Sequence, residues 1–212
     1  MVSIAEKITP KRRTASKEMR RMQLIKATIR SIAKRGLPGT TMATVTREAK
    51  LSQGIVNLHF QSKERLLVET LRYIAEEYRV NWEKAFDKSG PSNGDKLRGI
   101  IEAEFAPPVC APNKLAACFA FWSESKSRPT YRKIWADLDK RYDKMLTKLC
   151  TRIIAEGPYP GVDPIVIATG LSAMNWGLWL DILVNPDSMN AERAKGVSLS
   201  YLSSVFPRHF GE

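Results

Sequence analysis

The chain has 212 residues, 43% of them hydrophobic, which suits one or two domains with a buried core and excludes a disordered chain. Its net charge of +12 is unevenly placed: residues 1–65 hold 15 basic and 4 acidic residues, a net of +11, and the remaining residues carry only +1. Segregation of this kind points to a polyanionic partner, either nucleic acid or an anionic membrane surface. Cys110, Cys118 and Cys150 are too few and too widely spaced for a disulfide framework or a zinc knuckle, and are expected as buried thiols. No signal peptide is legible in "MVSIAEKITPKRRTASKEMRR", and no apolar run is read as reaching the roughly 20 residues a span needs, so a soluble cytoplasmic protein is expected.

Strand alternation and hairpin turns are missing, which predicts an all-α fold. Residues 1–16 read as a flexible basic arm. A first helix is predicted from Ser16 to Arg35, with Met22, Ile25, Ile29 and Ile32 on one face and Gly36 as its end. Thr41 is a candidate cap for a short helix to Ala49, Ser52 for a second one from Gln53 to His59, and Ser62 for a long third one. In the long helix Leu67, Leu71, Ile74, Tyr78 and Trp82 recur at helical spacing. "SGPSNGD" (89–95) reads as a loop, followed by a helix from Asp95 to Phe105, a proline-broken joint, and the apolar helix of "LAACFAFW". Pro129 opens a long helix to Ile154, and Asp163-Pro164 opens another. The latter, "IVIATGLSAMNWGLWLDILV", is apolar nearly all round, which predicts burial against a second subunit. Asn175 and Asp181 within it, and the lack of basic flanks, speak against a membrane. An amphipathic helix from Asn190 to Val205 closes the chain.

Two short helices joined at Lys50-Leu51-Ser52 and packed on a preceding helix make a helix-turn-helix, whose second helix enters the DNA major groove. Val45, Ala49, Leu51 and Ile55 or Val56 supply its inner faces. The outer face carries Gln53, Gly54 and Asn57. Gln and Asn present the paired donor and acceptor that adenine's edge requires, and Gly54 lets the backbone approach closely. A plain helical hairpin would also put polar residues outside; the charge segregation favours DNA.

Residues 21–72, with "TTMATVTREAKLSQGIVNLHFQSKERLLVETLR", resemble the DNA-binding domain of TetR-family repressors. "GIVNLHF", "AACFAFW", "RPTYRKIWADLDKRYDKML" and "GLSAMNWGLWLDILVNP" resemble the BetI branch, repressors of glycine-betaine synthesis that respond to choline. The resemblance implies a DNA-binding domain over 17–64 and a helical ligand-sensing and dimerisation domain over 65–212. It implies base contacts from Gln53, Gly54 and Asn57, and phosphate contacts from Thr41, Ser52, His59 and Lys63. It further implies a homodimer on a palindromic double-stranded DNA operator, released by a small-molecule effector, with dimerisation through the last two long helices. Three positions depart from the family pattern: Lys50 for a turn Gly, at a cost of about 1 kcal/mol if left-handed, Thr46 for Ala, and Asn57 for Tyr.

The effector expected from the resemblance is choline or another quaternary ammonium ion. Phe119 and Trp122, and Trp176 and Trp179, are spaced three apart and are candidates for an aromatic cage, with Glu104 or Asp181 as counter-charge. The plainer reading has these rings filling core or interface. A different hydrophobic or cationic ligand, and a non-sensing architectural DNA binder, are the alternatives. No catalytic constellation, metal-ligand spacing or cofactor loop is legible: only His59 and His209 occur, and Glu102 and Glu104 diverge on a helix.

Overall fold

The computed structural model describes residues 10–211, with side chains from Ser16 onward. Among these residues there are ten helices and no strand. They form two compact units divided between Thr70 and Leu71.

The first unit contains α1 (Pro10–Gly39), α2 (Met42–Ala49), α3 (Gln53–Phe60) and the start of α4 (Lys63–Lys88). α1 begins earlier than expected: residues 10–15, read as part of the flexible arm, are helical, with Pro10 at a position where its missing N–H costs nothing. The rest of the expected arm, 1–9, lies outside the described residues. Gly36 does end the regular helix, at φ 68°. Ile25, Ile29 and Ile32 are buried as predicted, and so are Leu24, Ala27, Thr28 and Ser31. The two hydroxyls are not stranded. Thr28 Oγ1 donates to the Leu24 carbonyl, and Ser31 Oγ bonds with Thr40 and Thr44. Val45, Ala49, Val56, Phe60, Leu66 and Leu67 complete this core.

The second unit holds the rest of α4 with α5 (Asn93–Glu104), α6 (Pro112–Ser123), α7 (Pro129–Glu156), α8 (Pro164–Val184), α9 (Ala191–Val205) and the short α10 (Pro207–Phe210). Part of the expected loop is helical. Ser92 and Asp95 form a capping box, so "SNGD" is the signature of a helix start. Asp163 caps α8 through the N–H groups of Ile165 and Val166, and Asn190 caps α9. α10 was not foreseen; its Phe210 packs with Phe206.

One expectation needs correction: α8, at 21 residues, is long and apolar enough to cross a membrane by length and composition alone. Its inner residues Ala168, Leu171, Leu178 and Trp179 are buried within the unit. The opposite stripe (Val166, Gly170, Ala173, Gly177, Leu180 and Val184) is exposed.

Candidate nucleic-acid interface and candidate sensor cavity

The geometry of the helix-turn-helix follows from its caps. Thr41 Oγ1 accepts from the Thr44 N–H at 3.1 Å, and Thr44 Oγ1 accepts from the Thr41 N–H at 2.8 Å, fixing the start of α2. α2 ends at Lys50, which is left-handed (φ 54°, ψ 43°). The turn thus imposes on a lysine the conformation that glycine adopts most easily. The Leu51 N–H donates to the Thr46 carbonyl, and Thr46 Oγ1 to the Ala43 carbonyl. Gln23 Nε2 donates to the Ala49 carbonyl, pinning α1 to the end of α2.

On α3, Gln53, Gly54, Asn57 and Leu58 are exposed, whereas Val56 and Phe60 are buried. A side chain placed at Gly54 would meet nothing within 4 Å, and its φ is not positive. Nothing inside the unit therefore requires glycine there, and the bare backbone faces outward. Leu58 is 73% exposed, a large apolar residue that the sequence reading passed over. Its position, one helical turn after Gly54, was the available signal.

The expected phosphate contacts are less uniform. Ser52 sits at the start of α3 without making a capping bond. The Thr41 hydroxyl is engaged in its capping box, and Lys63 Nζ donates to the Leu37 carbonyl at 3.2 Å. His59 is half-buried, and desolvation, then Lys17 and Arg21, hold its pKa below the usual value, so it is neutral at pH 7. The positive field of α1 is partly spent internally. Arg30 and Lys34 both pair with Glu48, whose carboxyl they hold below its ordinary range, and Arg21 pairs with Glu69.

In the second unit an aromatic cluster joins residues far apart in sequence. Trp176 stacks on Trp122 (5.4 Å, 12°) and meets Phe119, Trp135 and Trp179 edge-on. Tyr78 lies edge-on to Trp179 at 5.4 Å. Tyr78, Trp135, Trp176 and Trp179 line a cavity of about 20 Å³, with Glu77 and Lys114 also on its wall. Of the four expected cage residues, Trp176 and Trp179 therefore reach a cavity. Phe119 and Trp122 do not: α6 turns Lys114, Leu115 and Cys118 to it, and Trp122, a turn beyond Cys118, is 50% exposed. Tyr78 and Trp135 were missed because their helices are distant in sequence.

Neither expected counter-charge lines this cavity. Asp181 accepts from Asn185 Nδ2 at the end of α8. Glu104 is 1% exposed; Tyr78 Oη donates to its Oε1 at 3.1 Å and Asn175 Nδ2 to its Oε2 at 2.7 Å. Burial outweighs these bonds and pushes its pKa up to about 8. Ser198 Oγ donates to Asn175 Oδ1, and Trp179 Nε1 to the Glu104 carbonyl, so α4, α5, α8 and α9 meet at this carboxyl. Glu77 is the carboxylate that does line the wall. It accepts from Tyr73 Oη at 3.0 Å and is ion-paired with Lys114. Trp135 Nε1 is buried without a hydrogen-bond partner. Among the described residues no cluster of His, Cys, Asp and Glu is arranged to hold a metal.

Comparison with known proteins accounts for both units. Residues 24–70 match the family of bacterial regulatory proteins of TetR type, and residues 94–207 match the C-terminal domain of BetI-type transcriptional repressors. The HTH-type transcriptional regulator BetI of Burkholderia mallei is 30% identical over 189 residues, 89% of this chain and 94% of that protein. The regulator of the same name from Burkholderia thailandensis is 32% identical over 164 residues, 77% of this chain and 82% of that protein. In fold the chain is similar to a transcriptional regulator from Pseudomonas aeruginosa (TM-score 0.77, 24% identity, 91% of this chain and 94% of that one). It is also similar to one from Saccharomonospora viridis solved in complex with choline (TM-score 0.78, 19% identity, 88% and 96%). These relatives regulate transcription and are not enzymes. With a helix-turn-helix built from α2 and α3 and a helical domain matching the BetI type from α5 through α9, the chain is a member of the TetR family of transcriptional regulators, and its curated relatives are BetI proteins.

Proposed function

We propose that the chain is a cytoplasmic repressor that binds a palindromic operator as a homodimer and leaves it when a quaternary ammonium effector, choline in the first instance, enters the second unit. The observation that carries the DNA half is the exposed arc of α3, where Gly54 has no internal reason to be glycine. In this reading residues 17–64 form the DNA-binding domain and 65–212 the sensing and dimerisation domain. Gln53 and Asn57 hydrogen-bond base edges and Gly54 admits the backbone. Ser52 and Thr41 offer hydroxyls and helix-start N–H groups to phosphates, with His59 as a neutral donor and Lys63 as a cation that must release Leu37.

One α3 reads few base pairs, and two of them spaced by about 34 Å read a palindrome. The exposed apolar stripe of α8 supports pairing of two chains, together with the neighbouring exposed residues Gly196, Val197 and Ser200 of α9. The aromatic cavity supports a cationic effector, since ring faces attract quaternary ammonium ions. So do the BetI relatives and the choline-bound regulator of similar fold. α4 carries Lys63 at one end and Ile74, Glu77 and Tyr78 at the cavity. A ligand that prefers the α4 position incompatible with operator spacing lowers DNA affinity through this one helix.

Fluorescence anisotropy of DNA from upstream of the protein's own gene tests both halves, with excess unrelated DNA and a choline titration. Specific binding released by choline is expected. Binding indifferent to choline removes the effector assignment, and binding with no preference over unrelated DNA removes the operator there. In the same assay Gln53→Ala is expected to lose about 1–3 kcal/mol of operator affinity with nonspecific binding unchanged; equal losses on both DNAs would show that Gln53 does not read bases.

A further inference from the structure

The charges on the cavity wall bear on what kind of ammonium ligand it accepts. The wall's carboxylate, Glu77, is already ion-paired with Lys114, whose side chain is only 14% exposed. Glu104, the nearby buried carboxyl, has both oxygens hydrogen-bonded and is held mostly protonated at neutral pH by burial. A simple monocation thus finds aromatic faces here but no free counter-charge. If it took Glu77 for itself, it would leave the Lys114 ammonium unpaired in a site largely closed to water, an arrangement that is strongly unfavourable.

Two groups on the same wall ask for an acceptor. One is Lys114 once parted from Glu77. The other is Trp135 Nε1, an indole N–H that is only a donor, buried and without a partner. We propose that the cavity is built for a zwitterion that carries both a quaternary ammonium and a carboxylate: the cation goes to the rings of Trp176, Trp179 and Tyr78 beside Glu77, and the carboxylate goes to Lys114 and Trp135. This arrangement leaves every charge paired and satisfies the stranded indole. It also indicates how the cavity opens. About 20 Å³ holds no more than a water molecule, so any ligand must displace part of the wall. Lys114 is the wall group on a long flexible stem, and splitting its ion pair opens space where the ligand's carboxylate goes.

The inference rests on the reading of this cavity as a quaternary-ammonium site, and the test separates the two. The full-length protein is titrated with glycine betaine, choline and the uncharged isostere 3,3-dimethylbutan-1-ol, followed by tryptophan fluorescence. In the wild type glycine betaine is expected to bind tighter than choline by about tenfold or more, because a site with unmatched donors rejects a ligand lacking the acceptor. Lys114→Met, which frees Glu77 as an unpaired anion, is expected to reverse the order, and Lys114→Arg to keep it. Choline binding as tightly as glycine betaine in the wild type overturns the proposal and leaves the cation reading standing; this comparison needs no variant to fold. A folded Lys114→Met protein with an unchanged ratio also overturns it. Neither ammonium compound binding better than the uncharged isostere overturns both readings.

Discussion

The outer face of α3 and the cavity of the second unit are both candidate binding sites, yet they are made in opposite ways. The α3 face comes from six consecutive residues, 53–58, and needs only a short helix and the turn that follows the capped α2. The cavity gathers Tyr78 from α4, Lys114 from α6, Trp135 from α7, and Trp176 and Trp179 from α8. The first site is open, with room above Gly54; the second is nearly closed and its charges are matched internally. A polymer with a fixed outer surface can be met by a rigid, exposed helix. A small molecule must be enclosed, so the site that takes it has to open, and opening can be coupled to other parts of the fold.

The comparison breaks most visibly at the α8 stripe, on which the proposed pairing of two α3 helices depends. Gly177 lies on the stripe, and nothing within 4 Å would meet a side chain there. Gly177→Glu is therefore harmless to the isolated chain and gains roughly 0.5–1 kcal/mol in helix propensity. In the proposed dimer the same change sets a charge into an apolar interface. The expected outcome is a folded monomer by light scattering with operator affinity lowered by more than about a hundredfold, the scale of avidity lost when two reading heads become one. A Gly177→Glu protein that remains dimeric would remove this stripe from the interface.

A second prediction concerns the closed site alone. Glu104 has a pKa of about 8 in the fold against an ordinary value of 4.5, with burial as the leading cause. The folded chain thus binds more protons than the unfolded chain between those values, and the carboxyl costs stability increasingly as pH rises from about 4.5 to about 8. Glu104→Gln removes that slope but loses one acceptor at all pH values. Its thermal midpoint relative to wild type is expected to rise between pH 5 and pH 8.5, when both proteins are followed by circular dichroism. Asp139, also pushed up, to about 6, is common to both proteins and cancels in the difference. A constant difference would show that Glu104 is ionised throughout.

What could be read from the sequence follows the same division. The helix-turn-helix was legible because its determinants are local: Thr41 caps, Gly36 breaks, and Lys50 and Leu51 turn the chain within a few residues. The start of α5 was misread because "SNGD" is rich in loop formers, and its capping box declares itself only through the Ser92–Asp95 spacing. In the cavity, Trp176 and Trp179 were found as a helical pair, but Phe119 and Trp122 satisfied the same spacing and face elsewhere. Spacing says which residues share a face and does not say what the face meets. Lys114 and Trp135 carry no local signal; their meaning comes from Glu77, some forty to sixty residues upstream.

The smallest expected effect sharpens the picture of the open site. Leu58 is 73% exposed on α3, and a helical side chain leans back over the turn before it, which here is the turn of Gly54. An exposed leucine above a bare backbone offers an apolar patch in the reading face, and the apolar feature of the major groove is the 5-methyl of thymine. Leu58→Ala is expected to weaken operator binding by only about 1 kcal/mol, the order of one buried methyl or methylene group. The informative experiment pairs it with DNA in which each thymine of the operator is replaced in turn by deoxyuridine. For the wild type, loss of one particular methyl should cost about the same amount. For Leu58→Ala the same replacement should cost nothing further, since the contact is already gone. Because Leu58 is outside the core, the variant keeps its fold and its nonspecific affinity. If every deoxyuridine operator binds the two proteins in the same ratio, Leu58 touches no methyl, and the reading face reduces to Gln53, Gly54 and Asn57.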